Sequence, residues 1–160
     1  MTEEITLLEE DFYEKVEEKE DSVKLIVFRI SNEWYGIDIV KSKEIINVPE
    51  IVYLPSSPKY IIGVINLRGN IVSITDPKLI LGLKQQKITA KSRLIIIEED
   101  EIETGLLVDE LDNVIEALVS RINPTIHTVS AESANFIKGE FKIGDKLIGV
   151  LNTDQIILSI

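Results

Sequence analysis

Residues 23–157 are predicted to be mainly β, folded as two small barrels of about five short strands each, with short helices after the barrel hairpins. Three observations carry this. Apolar residues come in short β-branched runs separated by small polar links. Two helix starts, at Asp76-Pro77 and at Asn152-Thr153, each follow a strand pair. Finally, the segments repeat. YIIGVINLRGNIVSITDPKLI (60–80) lies over FIKGEFKIGDKLIGVLNTDQI (136–156) without a gap, and LIVFRISNEWYGIDIVKSKEII (25–46) lies over LIIIEEDEIETGLLVDELDNVI (94–115). Tyr60 then meets Phe136, Gly63 meets Gly139, and Gly36 meets Gly105. Self-similarity at a fixed offset marks repeated supersecondary units, here in the order A–B–A′–B′.

In chain order, residues 1–22 form an acidic leader. Ile5, Leu8, Phe12 and Val16 fall at helical spacing, so the leader is either a helix or a disordered, solvated segment. VKLIVFRI and WYGIDIV flank SNE as a hairpin. The runs 60–66 and 71–75 flank LRGN, where Gly69 supplies a turn conformation that β-branched residues resist. Asp76 can accept the free amide hydrogens of a helix start, Pro77 needs none at the first helical position, and Gly82 suits the stop. RLIIIEED with TGLLVDEL, and FIKGEFKI with KLIGVL across Gly144-Asp145, make two more hairpins. The C-terminal NTDQIILSI repeats the capped helix, with Asn152 or Thr153 as cap. The domain of 23–157 divides at about residue 90 into lobes 23–90 and 91–157. Whether the C-terminal segment crosses to the first lobe stays open.

Composition excludes several classes. The 160-residue chain is 44% hydrophobic, enough for a real core, and has no Cys, so disulfides and thiolate metal sites are ruled out. The first 21 residues hold ten Asp or Glu against two Lys, which places eight of the eleven net negative charges in the leader. No basic footprint for nucleic acid exists. The N-terminus has neither the basic region nor the apolar core of a secretion signal, and no apolar stretch nears the roughly 20 residues of a membrane helix. A cytoplasmic protein with no direct membrane insertion is expected.

Chemistry is sparse. His127, the only His, lies in INPTIHTVSAES with no second His or Cys to join it, and reads as a surface or packing residue. GEFKIGDK lacks the ending of a phosphate-binding loop. Asp109, Glu110 and Asp112 cluster in LVDELD, but strand alternation turns Asp109 and Glu110 to opposite faces, so they read as a solvated polar edge. Of Trp34 and Tyr35, barrel packing explains one and an exposed contact the other. No catalytic residues, metal or cofactor are expected. Arg68 stands apart: it sits amid Ile, Val and Leu, and its counterpart in the repeat is Gly144.

Two blocks carry a specific resemblance. Tyr35-Gly36-Ile37-Asp38 followed by Glu44-Ile45, and Gly63 to Gly69 as GVINLRG, with GLLVDELDNVI and FIKG in the second half, resemble the CheW family of bacterial chemotaxis coupling proteins over roughly residues 23 to 157. The resemblance implies two SH3-like barrels on a shared core and a non-catalytic adaptor. Its partners would be the regulatory domain of the histidine kinase CheA, which has the same fold, and the cytoplasmic tip of chemoreceptors. It would be held at membrane receptor arrays through them. By matching position it implies an ion pair of Glu44 with Arg68, and receptor-binding residues Ser42, Glu44, Gly63, Arg68, Arg93, Gly105 and Leu111; it assigns no kinase-binding residues. Glu44 follows the strand expected beside the Arg68 hairpin. Ser42 replaces an aliphatic residue of the family. Ser73 and Pro77 replace its commoner Pro and Leu, on an edge open to a partner. Gly63 and Gly105 recur in the repeat, which also fits tight backbone packing. The rival readings are a small-molecule-binding barrel or accessory subunit of an enzyme, and a regulatory domain separated from its kinase chain.

Overall fold

The computed structural model describes residues 21–84, 87–124 and 131–160. Most of the leader, and His127, lie outside the described residues. Eleven strands among them form two sheets. Sheet 1 runs β10 (Ile137–Ile143), β11 (Lys146–Leu151), β2 (Glu33–Asp38), β1 (Ser22–Ile30), β9 (Glu110–Leu118). Sheet 2 runs β3 (Ser42–Asn47), β7 (Arg93–Glu99), β8 (Ile102–Val108), β6 (Asn70–Thr75), β5 (Ile61–Leu67), β4 (Val52–Tyr53). Three short helices complete the described chain: α1 (Pro77–Ile80), α2 (Ala131–Ala134) and α3 (Thr153–Leu158).

The all-β class and the repeat appear together in the register. In sheet 1, β1 pairs with β9 through Ile26 and Val114; in sheet 2, β7 pairs with β3 through Ile95 and Ile45. The two parallel contacts also correspond: Gly36 opposite Val150, and Gly105 opposite Ile74. Sheet membership departs from a contiguous division near residue 90. After β2 the chain turns a corner through a 3-10 turn at Ile39–Lys41, and β3 joins the other sheet; after β8 it turns at Asp109, and β9 crosses back. The two repeats are therefore interlaced. The C-terminal helix α3 also crosses, packing on β7 and β8 while β11 stays in sheet 1.

Neither ladder closes into the full barrel expected. Sheet 1 ends at β10 and β9, and sheet 2 has six strands and ends at β3 and β4. In each case the chain itself joins the two edges. Residues 48–51, with Pro49 unable to donate a ladder bond, carry β3 to β4. The 3-10 turn Val119–Arg121 carries β9 to Asn123, which exchanges two 2.8 Å backbone bonds with Glu140.

The continuous apolar runs of β1 and β7 follow from burial on both faces. Leu25 and Val27 fill the interior of sheet 1, and Leu94 and Ile96 that of sheet 2. Ile26, Phe28 and Ile30 meet Ile95, Ile97, Leu106 and Val108 in a core shared between the sheets. Ile80, Ile156 and Ile157 of the helices seal it. Both helix starts are capped as expected: Asp76 accepts from the Lys78 N–H at 3.0 Å, and Asn152 is the second cap, accepting from Gln155 at 3.3 Å. Ser73 and Pro77 lie on no open edge. Ser73 sits in β6 between β5 and β8, bonding Thr104 at 3.0 Å, and Pro77 is buried.

Candidate functional site

Arg68 occupies a two-residue turn between Leu67 and Asn70, with φ of +51° at Arg68 and +85° at Gly69. Both central residues in the left-handed region make the tight turn whose twist matches the flanking strands. Glycine adopts this conformation freely, whereas arginine does so against a Cβ clash. Asn66 supports the turn by accepting the Gly69 N–H at 2.8 Å. The Arg68 side chain then reaches Glu44 in a forked contact, Nη1 to Oε1 at 2.8 Å and Nη2 to Oε2 at 2.6 Å. β3 and the β5–β6 hairpin are not neighbours in the ladder; they meet because the sheet coils until its ends face each other. Glu44 shares a strand face with Ile46, which packs into the interior of sheet 2, so the pair stands at the mouth of that interior. Arg68 is 70% exposed and Glu44 21%. The hydrogen bond from Arg68 lowers the Glu44 carboxyl below its ordinary pKa. The contribution of the pair is thus present at neutral pH and lost as pH falls through that lowered value.

The remaining positions separate into two groups. Ser42, partly buried, begins the same strand as Glu44. Arg93 and Leu111, from different sheets, line one shallow cleft of about 220 Å³ with Lys91 and Glu110. Gly63 and Gly105 are interior and offer no side chain to a partner. A Cβ at Gly63 would overlap the Val52 carbonyl oxygen and lie 3.0 Å from Ile51 Cγ2. One at Gly105 would meet Ile96 Cδ1 at 3.4 Å. Packing against the neighbouring strand explains the recurrence of both glycines.

Sequence reasoning missed two features. The first is β4, too short and too close to Pro49 and Pro55 to read as a strand, where Val52, Tyr53 and Leu54 are exposed beside a cleft of about 420 Å³. The second is the Asp109 corner, which is no solvated edge. Lys78 Nζ lies 2.5 Å from Asp109 Oδ1, with side chains only 4% and 13% exposed. Glu110 and Asp112 do lie nearer solvent, paired with Arg29 at 3.2 Å and Lys146 at 3.0 Å. Among the described residues no group of three or more His, Cys, Asp or Glu is arranged to hold a metal ion, and no helix is long and apolar enough to cross a membrane.

Asp76, beside the corner, is buried, and its Oδ2 has no hydrogen-bond partner. Burial raises its carboxyl above the ordinary value, opposed in part by the Lys78 N–H and ammonium. The folded state therefore holds this proton more tightly than the unfolded state. Its stabilising share is present below the ordinary carboxylate range and is lost as pH rises through the raised pKa. Asp76→Asn keeps a capping oxygen and removes the titration. Urea unfolding at pH 7 is expected to give a midpoint equal to or above wild type, with this pH dependence gone. A loss above about 1 kcal/mol, the size of a cap, would mean that Lys78 needs the charge.

The geometry thus presents an exposed, anchored guanidinium and an exposed apolar edge on a two-sheet scaffold. Residues 24–160 match the family described as CheW-like domain. The chemotaxis protein CheW of Helicobacter pylori is 30% identical over 143 residues, covering 89% of this chain and 86% of that protein. CheW of Bacillus subtilis is 31% identical over 134 residues, covering 84% and 86%. The crystal structure of scaffolding protein TtCheW from Thermoanaerobacter tengcongensis aligns with a TM-score of 0.74 at 31% identity, covering 84% of this chain and 87% of that one. With the match running from β1 to the last residue, and with the interlaced sheets beneath it, the chain belongs to the CheW family of chemotaxis proteins.

Proposed function

We propose that the protein is a non-catalytic cytoplasmic adaptor that couples chemoreceptor tips to the histidine kinase CheA. The observation that supports this best is Arg68, held by a fork of two hydrogen bonds yet 70% exposed. A guanidinium fixed in direction keeps donors free for a partner at little entropic cost. Ser42, Glu44 and Arg68 would form one part of the receptor surface, and Arg93 with Leu111 another. Gly63 and Gly105 would act only by shaping the strands. The kinase would take the exposed β4 edge at Val52, Tyr53 and Leu54, since an unpaired apolar edge favours being covered. Holding both partners in one geometry lets a conformational change in the receptor bias the kinase.

The test is capture of a receptor tip fragment and of the CheA regulatory domain by wild type and by Arg68→Asn. Asparagine tolerates a positive φ, so the turn and the urea midpoint are preserved while the guanidinium is lost. Receptor capture is expected to fall about tenfold or more, the usual scale for losing a central Arg contact, with CheA capture unchanged. Undiminished receptor capture would remove Arg68 from the surface. Failure of the wild type to capture either partner would overturn the adaptor reading.

A further inference from the structure

A cleft of about 330 Å³ opens between β2 and the β10–β11 hairpin of sheet 1. Trp34, Tyr35 and Leu147 form its apolar walls. Gly149 makes room for them: a Cβ there would lie 3.0 Å from Tyr35 Cδ1, so the ring takes the space of a side chain. Glu33, Glu140 and Asp145 bring three carboxylates to the same cleft. Among the described residues Glu33 accepts only the Tyr35 hydroxyl, at 3.0 Å. The side chains of Glu140 and Asp145 have no partner among the described residues, although the Glu140 backbone is fixed by its two bonds to Asn123. Lys146, the one cation lining the cleft among the described residues, is already balanced by Asp112 at 3.0 Å.

Lys146 also shows how this wall holds positive charge. Its Nζ stands 3.9 Å from the centre of the Trp34 ring, a favourable cation–π distance. A flat, delocalised guanidinium that displaces the Lys146 ammonium from the Trp34 face, leaving Lys146 on Asp112, can stack on the ring and fork to the carboxylates at once, which arginine does and lysine does not. We infer that this cleft docks an arginine side chain carried on an exposed segment of a partner protein. The charge complementarity commits the occupant. The inference stands apart from the adaptor reading, whose Arg68 and β4 surfaces belong to sheet 2 and whose Arg93–Leu111 cleft shares no lining residue with this one.

Trp34 is the only Trp in the chain, so its fluorescence reports directly on the cleft. The probe is the acetylated, amidated tripeptide Gly-Arg-Gly, titrated into the full chain beside the same peptide with lysine or with neutral citrulline. The arginine peptide is expected to shift Trp34 emission with millimolar affinity, the lysine peptide more weakly, and the citrulline peptide not at all. Glu140→Gln with Asp145→Asn should weaken arginine binding about tenfold at an unchanged urea midpoint, whereas Glu50→Gln, remote from the cleft, should leave it alone. No response to the arginine peptide, an equal response to citrulline or lysine, or full affinity in the double variant would overturn the inference. Tighter competition by spermidine than by the peptide would assign the cleft to a free polyamine and overturn the protein-segment occupant.

Discussion

Lys78→Met is expected to lower the free energy of unfolding by about 3–5 kcal/mol, the range for removing one partner of a buried ion pair. Methionine retains the apolar stem that Lys78 buries, so the change isolates the ammonium. That ammonium sits 2.5 Å from Asp109 Oδ1, while Asp109 Oδ2 accepts the Ser31 N–H at 2.7 Å. Ser31 is held at φ +55°, and the Asp109 N–H reaches Arg29 O at 3.0 Å. One carboxylate thus joins α1, the β1–β2 turn and the corner where the chain leaves sheet 2 for sheet 1. Without Lys78, Asp109 and the already disfavoured Asp76 charge would be left in a covered site without the ammonium that pairs with Asp109. The double variant Lys78→Met with Asp109→Leu should recover much of the loss, because an apolar pair of similar volume avoids the desolvation penalty. Urea midpoints at constant slope measure both. A loss under about 1 kcal/mol in the single variant, the scale of a surface pair, would show that the corner does not depend on this pair.

The equivalent corner of the repeat carries the opposite polarity. Asp154, in register with Lys78, lies 3.4 Å from Lys41, which also meets Glu99 at 2.6 Å. Those side chains are 28–47% exposed, so water already screens them. Lys41→Met should therefore cost far less than Lys78→Met. The repeat conserves the positions where the chain crosses between sheets, while the charges that fasten each crossing are free to differ.

The same contrast explains what the sequence could reveal. Positions with a steric demand were legible, because the demand leaves the same residue in both repeats: Gly36 with Gly105, Gly63 with Gly139. So were the two-sided runs at 25–28 and 94–97, and the capped helices. The exchange of β3 and β9 between sheets was not, since it depends on a corner of a few residues whose direction leaves no periodic mark. Reading 107–111 as continuous strand made Asp109 a solvated edge; a one-residue corner turns it inward instead. Arg68 was conspicuous as a lone charge in an apolar hairpin. Its partner Glu44 came only through family resemblance, because the two meet through the coil of a sheet rather than along the chain. The β4 edge was hidden for a related reason: whether Val52 and Tyr53 are covered is decided by strands far away in sequence.

Gly63→Ala should destabilise the protein by about 1–3 kcal/mol or somewhat more, the range for overpacking. A single methyl at this position meets the Val52 carbonyl, a backbone atom that cannot rotate aside, as well as Ile51 Cγ2 at 3.0 Å. Relief requires β4 to move off β5, breaking the pairing of Val52 with Val64 and of Tyr53 with residue 63. Gly139→Ala repeats the experiment in sheet 1, where the added carbon would lie 2.5 Å from the Asn123 carbonyl and 3.0 Å from Ile122 Cγ2. Both variants should fall well below Gly105→Ala, whose nearest neighbours are the ends of Ile96 and Leu94 at 3.4 and 3.5 Å, side chains able to shift. If Gly63→Ala instead matched wild type in urea, the close approach of β4 to β5 would be wrong, and with it the placement of the Val52–Leu54 edge. If it is destabilised as expected but still folded, displacement of β4 should weaken capture by CheA although no surface side chain has changed. A buried glycine would then affect binding through the strand it supports.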